Sequence, residues 1–186
     1  MALPDHVARA LGKLDGKRVL HLGCGAGGET AELAELGAVA TGVDDDAAAL
    51  EAARAQWPSV LWVDAAVDAL PAELRRGRFD LVYAGPGVLE RVQDLDGLAA
   101  GAAAALREHG ELLLFDEHPV ASRVDTLMHW RDDYFDGPPR LGRVVTAFAR
   151  AGFVARALEE YPASPGNERH HDRRIPGEFL LYAERL

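Results

Sequence analysis

A glycine-rich stretch follows an apolar run near the start of the chain, in the sequence VLHLGCGAGGET from Val19 to Thr30. Four of the six residues from 23 to 28 are glycine. Without Cβ atoms, the backbone of a strand-to-helix turn lets a ligand lie directly against its amide groups. The stretch therefore predicts a nucleotide-type ligand site between a first strand, 18–22, and a helix that begins at residue 28.

A carboxylate at the end of the second predicted strand indicates the same kind of ligand. The segment ATGVDDD places Asp44 about twenty residues beyond the glycine turn, where an acid can accept hydrogen bonds from both hydroxyls of a ribose. A glycine turn alone occurs in several nucleotide-binding folds. Its combination with an acid in this register is much more specific.

The elements that must position these residues alternate in type along the chain. Short apolar β-type runs and longer alanine-rich helical segments follow one another as far as residue 118, which predicts βαβ units and a parallel sheet covered on both faces. From 119 to 140, aromatic residues stand among charges and prolines without clean periodicity, which predicts a lid or an acceptor-binding loop. A helix over 141–151 and a hairpin of two strands, 153–161 and 177–186, are predicted to follow.

Composition restricts the class of protein. The chain of 186 residues is 48% hydrophobic, which fits one domain spanning 1–186. A net charge of -10 opposes binding to nucleic acid. No apolar stretch has the length that a signal peptide or a membrane span requires, so we expect a cytoplasmic protein without membrane contact. The single cysteine cannot form an internal disulfide.

Taken in order, the motifs resemble the class I S-adenosylmethionine-dependent methyltransferases. The segments that carry the resemblance extend over nearly the whole chain: VLHLGCGAGGET, TGVDDD, WVDAAVDALP, FDLVYAGPGVLERVQDL, LREHGELLLFDEHP and LGRVVTAFARAGF. Within that family, the chain resembles small bacterial methyltransferases with VLHL in the first strand and DEHP after the fifth. The resemblance implies a Rossmann-like three-layer α/β/α sandwich, with a seven-stranded, mostly parallel sheet whose last strand is antiparallel.

The resemblance also implies which residues bind S-adenosylmethionine. The glycine turn would hold the methionine part, Asp44 the ribose, and Asp45 would flank the adenosine. Asp64 and Ala65 are predicted at the adenine, although an alternative alignment places Ala66 where the family has an acid. The complete predicted set is His21, Gly23, Cys24, Gly25, Gly27, Asp44, Asp45, Asp64, Ala65, Ala84, Gly85 and Gly87.

Three residues near these motifs carry specific expectations. His21 stands where many class I enzymes have an acid, and a neutral imidazole accepts one hydrogen bond but adds no carboxylate. The alternative for His21 is a histidine satisfied inside the end of the sheet. Cys24 is predicted to be small and buried rather than nucleophilic, because no basic partner stands near it in sequence. Asp46 is predicted to cap the next helix.

Methyl transfer from a sulfonium is a direct displacement, so the protein supplies mainly alignment and a water-poor site. Glu117 and His118 are the candidate bases, because ligands gather outside the carboxyl ends of strands in open α/β sheets. A structural, hydrogen-bonded strand end is the alternative for this pair. Tyr83, Trp130 and Tyr134 are predicted in the substrate pocket, although the last two suit the cover of a sheet edge equally well, and a dimer contact is a further alternative.

The resemblance implies S-adenosylmethionine as cofactor, S-adenosylhomocysteine as product and a small-molecule acceptor, in a monomer or homodimer. No metal is predicted, because the adjacent residues Asp116, Glu117 and His118 alternate between the two faces of a strand. A nicotinamide-dependent reductase is disfavoured, since the TyrxxxLys pair of short-chain reductases is absent. The second hypothesis is a non-catalytic module that binds the same cofactor, which the short stretch of about seventeen residues before the first strand favours.

Overall fold

The computed structural model describes residues 3–125, 127, 129–137, 139–163 and 173–186. Within these ranges, seven strands form one sheet: β1 (Arg18–Leu22), β2 (Val39–Asp44), β3 (Leu61–Asp64), β4 (Phe79–Ala84), β5 (Leu106–Glu117), β6 (Phe153–Tyr161) and β7 (Glu178–Arg185). The α-helices are α1 (Asp5–Leu11), α2 (Gly28–Glu35), α3 (Ala47–Gln56), α4 (Val88–Arg91), α5 (Leu95–Ala105) and α6 (Leu141–Arg150). A short 3-10 helix spans Ala121–Arg123. None of the helices described is long and apolar enough to cross a membrane.

The strands lie in the order β3-β2-β1-β4-β5-β7-β6. Strands β1 to β5 pair in parallel, whereas β7 is antiparallel to both of its neighbours. The predicted fold, a mostly parallel seven-stranded sheet with an antiparallel last strand, is confirmed. The strand order reverses direction at β1, which lies between β2 and β4. In open α/β sheets, the crevice outside the carboxyl ends of the strands at such a reversal is where ligands bind.

Helices cover both faces of the sheet, as the apolar strands require. On one face, Leu20 and Val82 join a core cluster with α5 and α6. On the other, Val19 and Leu81 pack with α1 and α2. Because successive strand residues point to opposite faces, burial on both sides fixes the register of β1 and β4 and holds their carboxyl ends in place.

The chain leaves α5 earlier than the sequence pattern indicated. The alanine-rich pattern predicts a helix around 95–107 and the apolar run after it predicts a fifth strand at 111–118, but α5 ends at Ala105 and β5 begins at Leu106. Leu106 pairs with Phe79 across the sheet, and the pairing then resumes between Glu111 and Leu81. The inserted residues form a bulge in which His109 has a φ of 58°. Pairing with β4 therefore overrides the helical pattern of this segment.

Candidate functional site

The glycine turn is held against the end of β2 and opens on one side. The amides of Gly23 and Cys24 both donate to the carbonyl of Val43, at 2.9 and 3.0 Å. Gly25 has a φ of +49°, and a Cβ added there would meet no described atom within 4 Å. This opening beside bare backbone is the kind of cradle that a cofactor needs, so the turn fits the predicted ligand.

Two further glycines of the turn, Gly23 and Gly27, are required by packing. A Cβ on Gly23 would lie 2.5 Å from Val88 Cγ2, and a Cβ on Gly27 would lie 2.5 Å from a ring carbon of Trp62. Both glycines also have positive φ values, 76° and 86°, which residues with a Cβ adopt only at a cost. The turn therefore combines two tightly packed glycines with one that faces open space.

Asp44 lies at the end of β2 with its side chain fully buried. Its Oδ2 atom accepts the Gly25 amide at 2.7 Å, and its Oδ1 atom accepts the Asp46 amide at 3.0 Å. Burial alone would raise the pKa of this carboxyl, but hydrogen bonds from Arg91 and the two amides outweigh it and hold the pKa below its usual value. Asp44 is therefore an ionised acceptor beside the open face of the turn.

Arg91, at the end of α4, was not predicted from the sequence as a site residue. Its Nη1 and Nη2 atoms donate to the two carboxylate oxygens of Asp44, at 3.0 and 3.3 Å. The guanidinium lies so close to the turn that a Cβ on Gly23 would come within 3.0 Å of Nη2. With two amides and this fork, about four acceptor positions of the carboxylate are filled. A ribose can reach Asp44 only after Arg91 moves.

The predicted adenosine residues lie at the same edge of the sheet. Asp64 pairs in register with Asp44 at the ends of β3 and β2, and its side chain is exposed. The Ala65 amide donates to the Asp44 carbonyl at 3.0 Å. Asp45 is exposed and its Oδ1 lies 3.7 Å from Arg91 Nη1. The prediction that Asp46 caps α3 is confirmed, since its carboxylate accepts two amides of that helix.

The loop after β4 continues this edge beside β1. Ala84 is buried at the strand end, and the Gly85 amide donates to the Leu22 carbonyl at 3.3 Å. Gly87 precedes α4 with a φ of 84°. Its amide donates to Asp116 Oδ1 at 2.7 Å. The loop is thus fixed to both β1 and β5, with its backbone facing the crevice.

Asp116 is a second residue whose role the sequence did not reveal. Its buried carboxylate accepts the amides of Gly87, Leu89 and Glu117 at 2.7 to 2.8 Å, and so caps the first turn of α4. Burial raises its pKa to about 6, although the three amides act in the opposite direction. Asp116 therefore positions the β4 loop.

This raised pKa gives a testable dependence of stability on pH. The native state binds the proton more tightly than the unfolded chain, so the stabilisation from protonated Asp116 is full below the ordinary value of 3.8 and is lost as pH rises through about 6. We expect the free energy of unfolding of the wild type, relative to Asp116→Asn, to fall by up to about 3 kcal/mol over this range. Urea denaturation at several pH values measures it.

Asp80→Asn is the matched control, because hydrogen bonds from Arg107 and the Arg18 amide outweigh the effect of burial and lower the pKa of Asp80. Its stabilising contribution therefore grows as pH rises through the acid range. A difference for Asp116→Asn that stays constant or increases with pH would show that the Asp116 carboxyl is not protonated in the native state.

His21 and Tyr83 lie inside the sheet end rather than on an open surface. His21 Nδ1 is 2.7 Å from Thr30 Oγ1, and burial lowers its pKa to about 3, so the imidazole is neutral. Tyr83 is fully buried and its hydroxyl donates to Glu29 Oε2 at 3.0 Å. Tyr83, predicted in the substrate pocket, has its polar atom directed towards α2.

The predicted pair Glu117 and His118 is separated by the structure. Glu117 lines a cavity of about 530 Å³ between the β4 loop and the segment that follows β5. His118 is buried beside β6, with Nδ1 accepting the Val120 amide at 3.1 Å and Nε2 lying 3.0 Å from Glu160 Oε1. Of the two candidates, Glu117 is the residue that the structure brings to a cavity.

Described residues of the segment 119–140 form part of the wall of this cavity. Arg123, which is 5% exposed, and Asp132 line it together with Pro86 and Leu89. Trp130 and Tyr134, predicted in the substrate pocket, are not among the residues that line this cavity. Trp130 is 61% exposed, and the half-buried ring of Tyr134 packs edge to face on Phe135.

The thiol of Cys24, the single cysteine, has no features of a nucleophile. Cys24 is buried, and burial raises its pKa to about 12. This agrees with the expectation of a small buried residue beside the turn. Among the residues that the structure describes, no group of three or more His, Cys, Asp or Glu side chains is arranged to hold a metal ion.

Comparisons with known proteins identify relatives of this arrangement. The family described as "Methyltransferase domain" matches residues 20–114, slightly more than half of the chain. An S-adenosylmethionine-dependent methyltransferase from Mesorhizobium loti has a TM-score of 0.80 at 24% identity, over 95% of this chain and 94% of that one. A likeness at this identity shows the fold alone.

Two curated proteins match parts of the sequence. A ubiquinone biosynthesis O-methyltransferase of Alkalilimnicola ehrlichii is 48% identical over 50 residues, 27% of this chain and 20% of that protein. An uncharacterised methyltransferase of Synechocystis is 33% identical over 104 residues, 55% and 48% of the two chains. The chain thus matches less than half the length of each. The family match, the strand order and the glycine turn together show that the chain belongs to the methyltransferase-domain family and has the class I fold.

Proposed function

We propose that the protein is an S-adenosylmethionine-dependent methyltransferase that acts on a small-molecule acceptor. The observation that carries this proposal is the open cradle at Gly25 directly beside the buried, ionised carboxylate of Asp44. The position of both at the point where the strand order reverses supports it. Membership of the methyltransferase-domain family is the independent support.

The proposed roles follow the geometry of the crevice. The backbone of the glycine turn, from Gly23 to Gly27, would hold the methionine part of the cofactor. Asp44 would accept the ribose hydroxyls once Arg91 has moved aside, and Asp64 or Ala65 would lie at the adenine. When bound, the cofactor would supply an electrophilic methyl carbon on a sulfonium leaving group for displacement by the acceptor.

The cavity beside Glu117 is the proposed acceptor site. It adjoins the β4 loop through Pro86 and Gly87, so an acceptor held there would face the edge of the cofactor crevice. Glu117 would take the proton that the acceptor loses as its new bond to carbon forms. The cavity volume of about 530 Å³ suits a small molecule. The net charge of -10 supports an acceptor other than nucleic acid. We propose that the enzyme acts in the cytoplasm as a monomer or homodimer.

Substitution of the two predicted bases should separate them. We expect Glu117→Gln to lower turnover of an identified acceptor by about 100-fold at unchanged cofactor affinity, the typical contribution of a general base. His118→Ala should retain most of the activity, because the imidazole is directed towards Glu160. Steady-state kinetics with both variants measures this. Turnover near that of the wild type in Glu117→Gln would exclude Glu117 as the base.

Calorimetric titration with S-adenosylmethionine, S-adenosylhomocysteine and NADH tests the proposed function. Binding of the first two and not of NADH is the expected result. Screening of small-molecule acceptors then distinguishes the enzyme from the second candidate, a non-catalytic module that binds the same cofactor. Failure of both sulfur compounds to bind would reject the assignment.

A further inference from the structure

A buried polar atom beside the β4 loop has no use in the roles given so far. Among the described residues, His21 Nε2 has no hydrogen-bond partner, although the side chain is only 2% exposed. The other ring nitrogen is already paired with Thr30. A buried polar group left without a partner carries a substantial penalty. This atom therefore points to a group that joins the site from outside the chain.

A carboxylate lies next to this atom. Glu29, in the first turn of α2, has its Oε2 atom 3.9 Å from His21 Nε2, and this oxygen accepts the Tyr83 hydroxyl at 3.0 Å. A Cβ on Gly85 would come within 2.8 Å of His21 Nε2 and 3.1 Å of Glu29 Oε2. The missing side chain of Gly85 thus leaves the two polar groups facing the β4 loop, at the edge of the proposed cofactor crevice.

The charge at this place selects the kind of group that can join it. The Glu29 carboxylate repels an anion, and neutral His21 offers no compensating positive charge. A cationic donor, in contrast, gains a charge-assisted hydrogen bond to the carboxylate. Burial raises the pKa of Glu29, while the bond from Tyr83 lowers it, and a cation at this point would further favour the ionised form.

We propose that Glu29, held by the Tyr83 hydroxyl next to His21 Nε2, binds the α-ammonium group of the cofactor's methionyl part. The inference rests on the proposed function.

The test compares S-adenosylhomocysteine with its desamino analogue, in which hydrogen replaces the α-amino group. In calorimetric titrations the wild type should bind S-adenosylhomocysteine at least about tenfold more tightly than the analogue. Glu29→Gln should lose about that factor for S-adenosylhomocysteine and almost none for the analogue. Glu32→Gln is the matched control one turn further along α2, where the carboxylate accepts the Leu3 amide, and it should keep the wild-type preference.

Equal affinity of the wild type for the two compounds would overturn the inference without any variant, so a Glu29→Gln protein that fails to fold does not leave it undecided. Equal losses for both compounds in folded Glu29→Gln would also overturn it, because the carboxylate would then act on the fold of the site. If the wild type binds S-adenosylmethionine and S-adenosylhomocysteine, either result leaves the proposed function standing. Absence of all binding would overturn both.

Discussion

An Asp44→Ala variant is expected to bind S-adenosylhomocysteine at least about 100-fold more weakly than the wild type. The carboxylate would accept hydrogen bonds from two ribose hydroxyls, and each bond to a charged group contributes about 1.5–3 kcal/mol. The substitution also releases the Gly25 amide, which Asp44 holds at 2.7 Å. Calorimetric titration measures the loss, and urea denaturation establishes that the variant is folded under the same conditions.

The neighbouring residue provides the control. Asp45 has the same charge but its side chain is 62% exposed and accepts no hydrogen bond from the turn. Asp45→Ala should therefore change the affinity by about threefold or less, in line with an exposed charge in water. Comparable losses in the two variants would mean that overall negative charge, rather than the buried acceptor, determines binding.

The second large effect is on stability. Gly23→Ala should destabilise the protein by about 2–5 kcal/mol, because a positive φ costs a residue with a Cβ about 1–2 kcal/mol and overpacking adds about 1–3 kcal/mol. The new methyl group would lie 2.5 Å from Val88 Cγ2. Gly16→Ala is the matched variant, since its φ is +72° but no described atom lies within 4 Å of the added Cβ. It should cost only about 1–2 kcal/mol.

The clash can be tested separately from the backbone strain. In the double variant Gly23→Ala with Val88→Ala, the smaller side chain on α4 makes room for the added methyl group. The two substitutions should then be less destabilising together than the sum of their separate effects. Denaturation curves of the four proteins give this coupling. Simple additivity would place the whole cost of Gly23→Ala in its backbone conformation.

Local patterns were sufficient for the elements that begin and end at strong signals. The first strand was predicted at 18–22 and lies there, because an apolar run stops at a glycine turn that cannot continue it. The start of β5 was wrong by five residues. The alanine-rich pattern before it suits a helix, and only the partner Phe79, distant in sequence, draws Leu106 into the sheet.

Among the residues of the site, some carry a local sequence signature and others do not. The glycine turn and Asp44 carry a short signature with a known spacing, so the sequence was enough to predict that they belong to one site, and the structure places them side by side. Arg91, Asp116 and Glu29 carry none. Arg91 is 47 positions from Asp44, and Asp116 is 29 positions from the amide of Gly87. Their roles arise only when folding brings α4 and β5 to the same edge, which no local pattern reports.

The sequence of Glu29 and its neighbours predicts a helix start but not the role proposed for its carboxylate. It follows the last glycine of the turn by one residue, and an acid in the first turn of a helix is typical of a helix start. A helix start fully explains an acid at this position, so the sequence does not indicate that Glu29 could also bind a ligand. The information that was missing is the direction of Tyr83, whose hydroxyl is directed to this carboxylate.

If Asp44 binds the ribose as proposed, the fork of Arg91 on Asp44 requires two conformations of the cofactor-free protein. In the conformation described here, the guanidinium fills the acceptor positions that a ribose would use; in the other, it would extend into solvent, where its side chain is already 44% exposed. Only the second conformation would be competent to bind. The apparent dissociation constant is then the intrinsic one divided by the competent fraction. The affinity of the site is therefore set partly by a side chain that need never touch the bound cofactor.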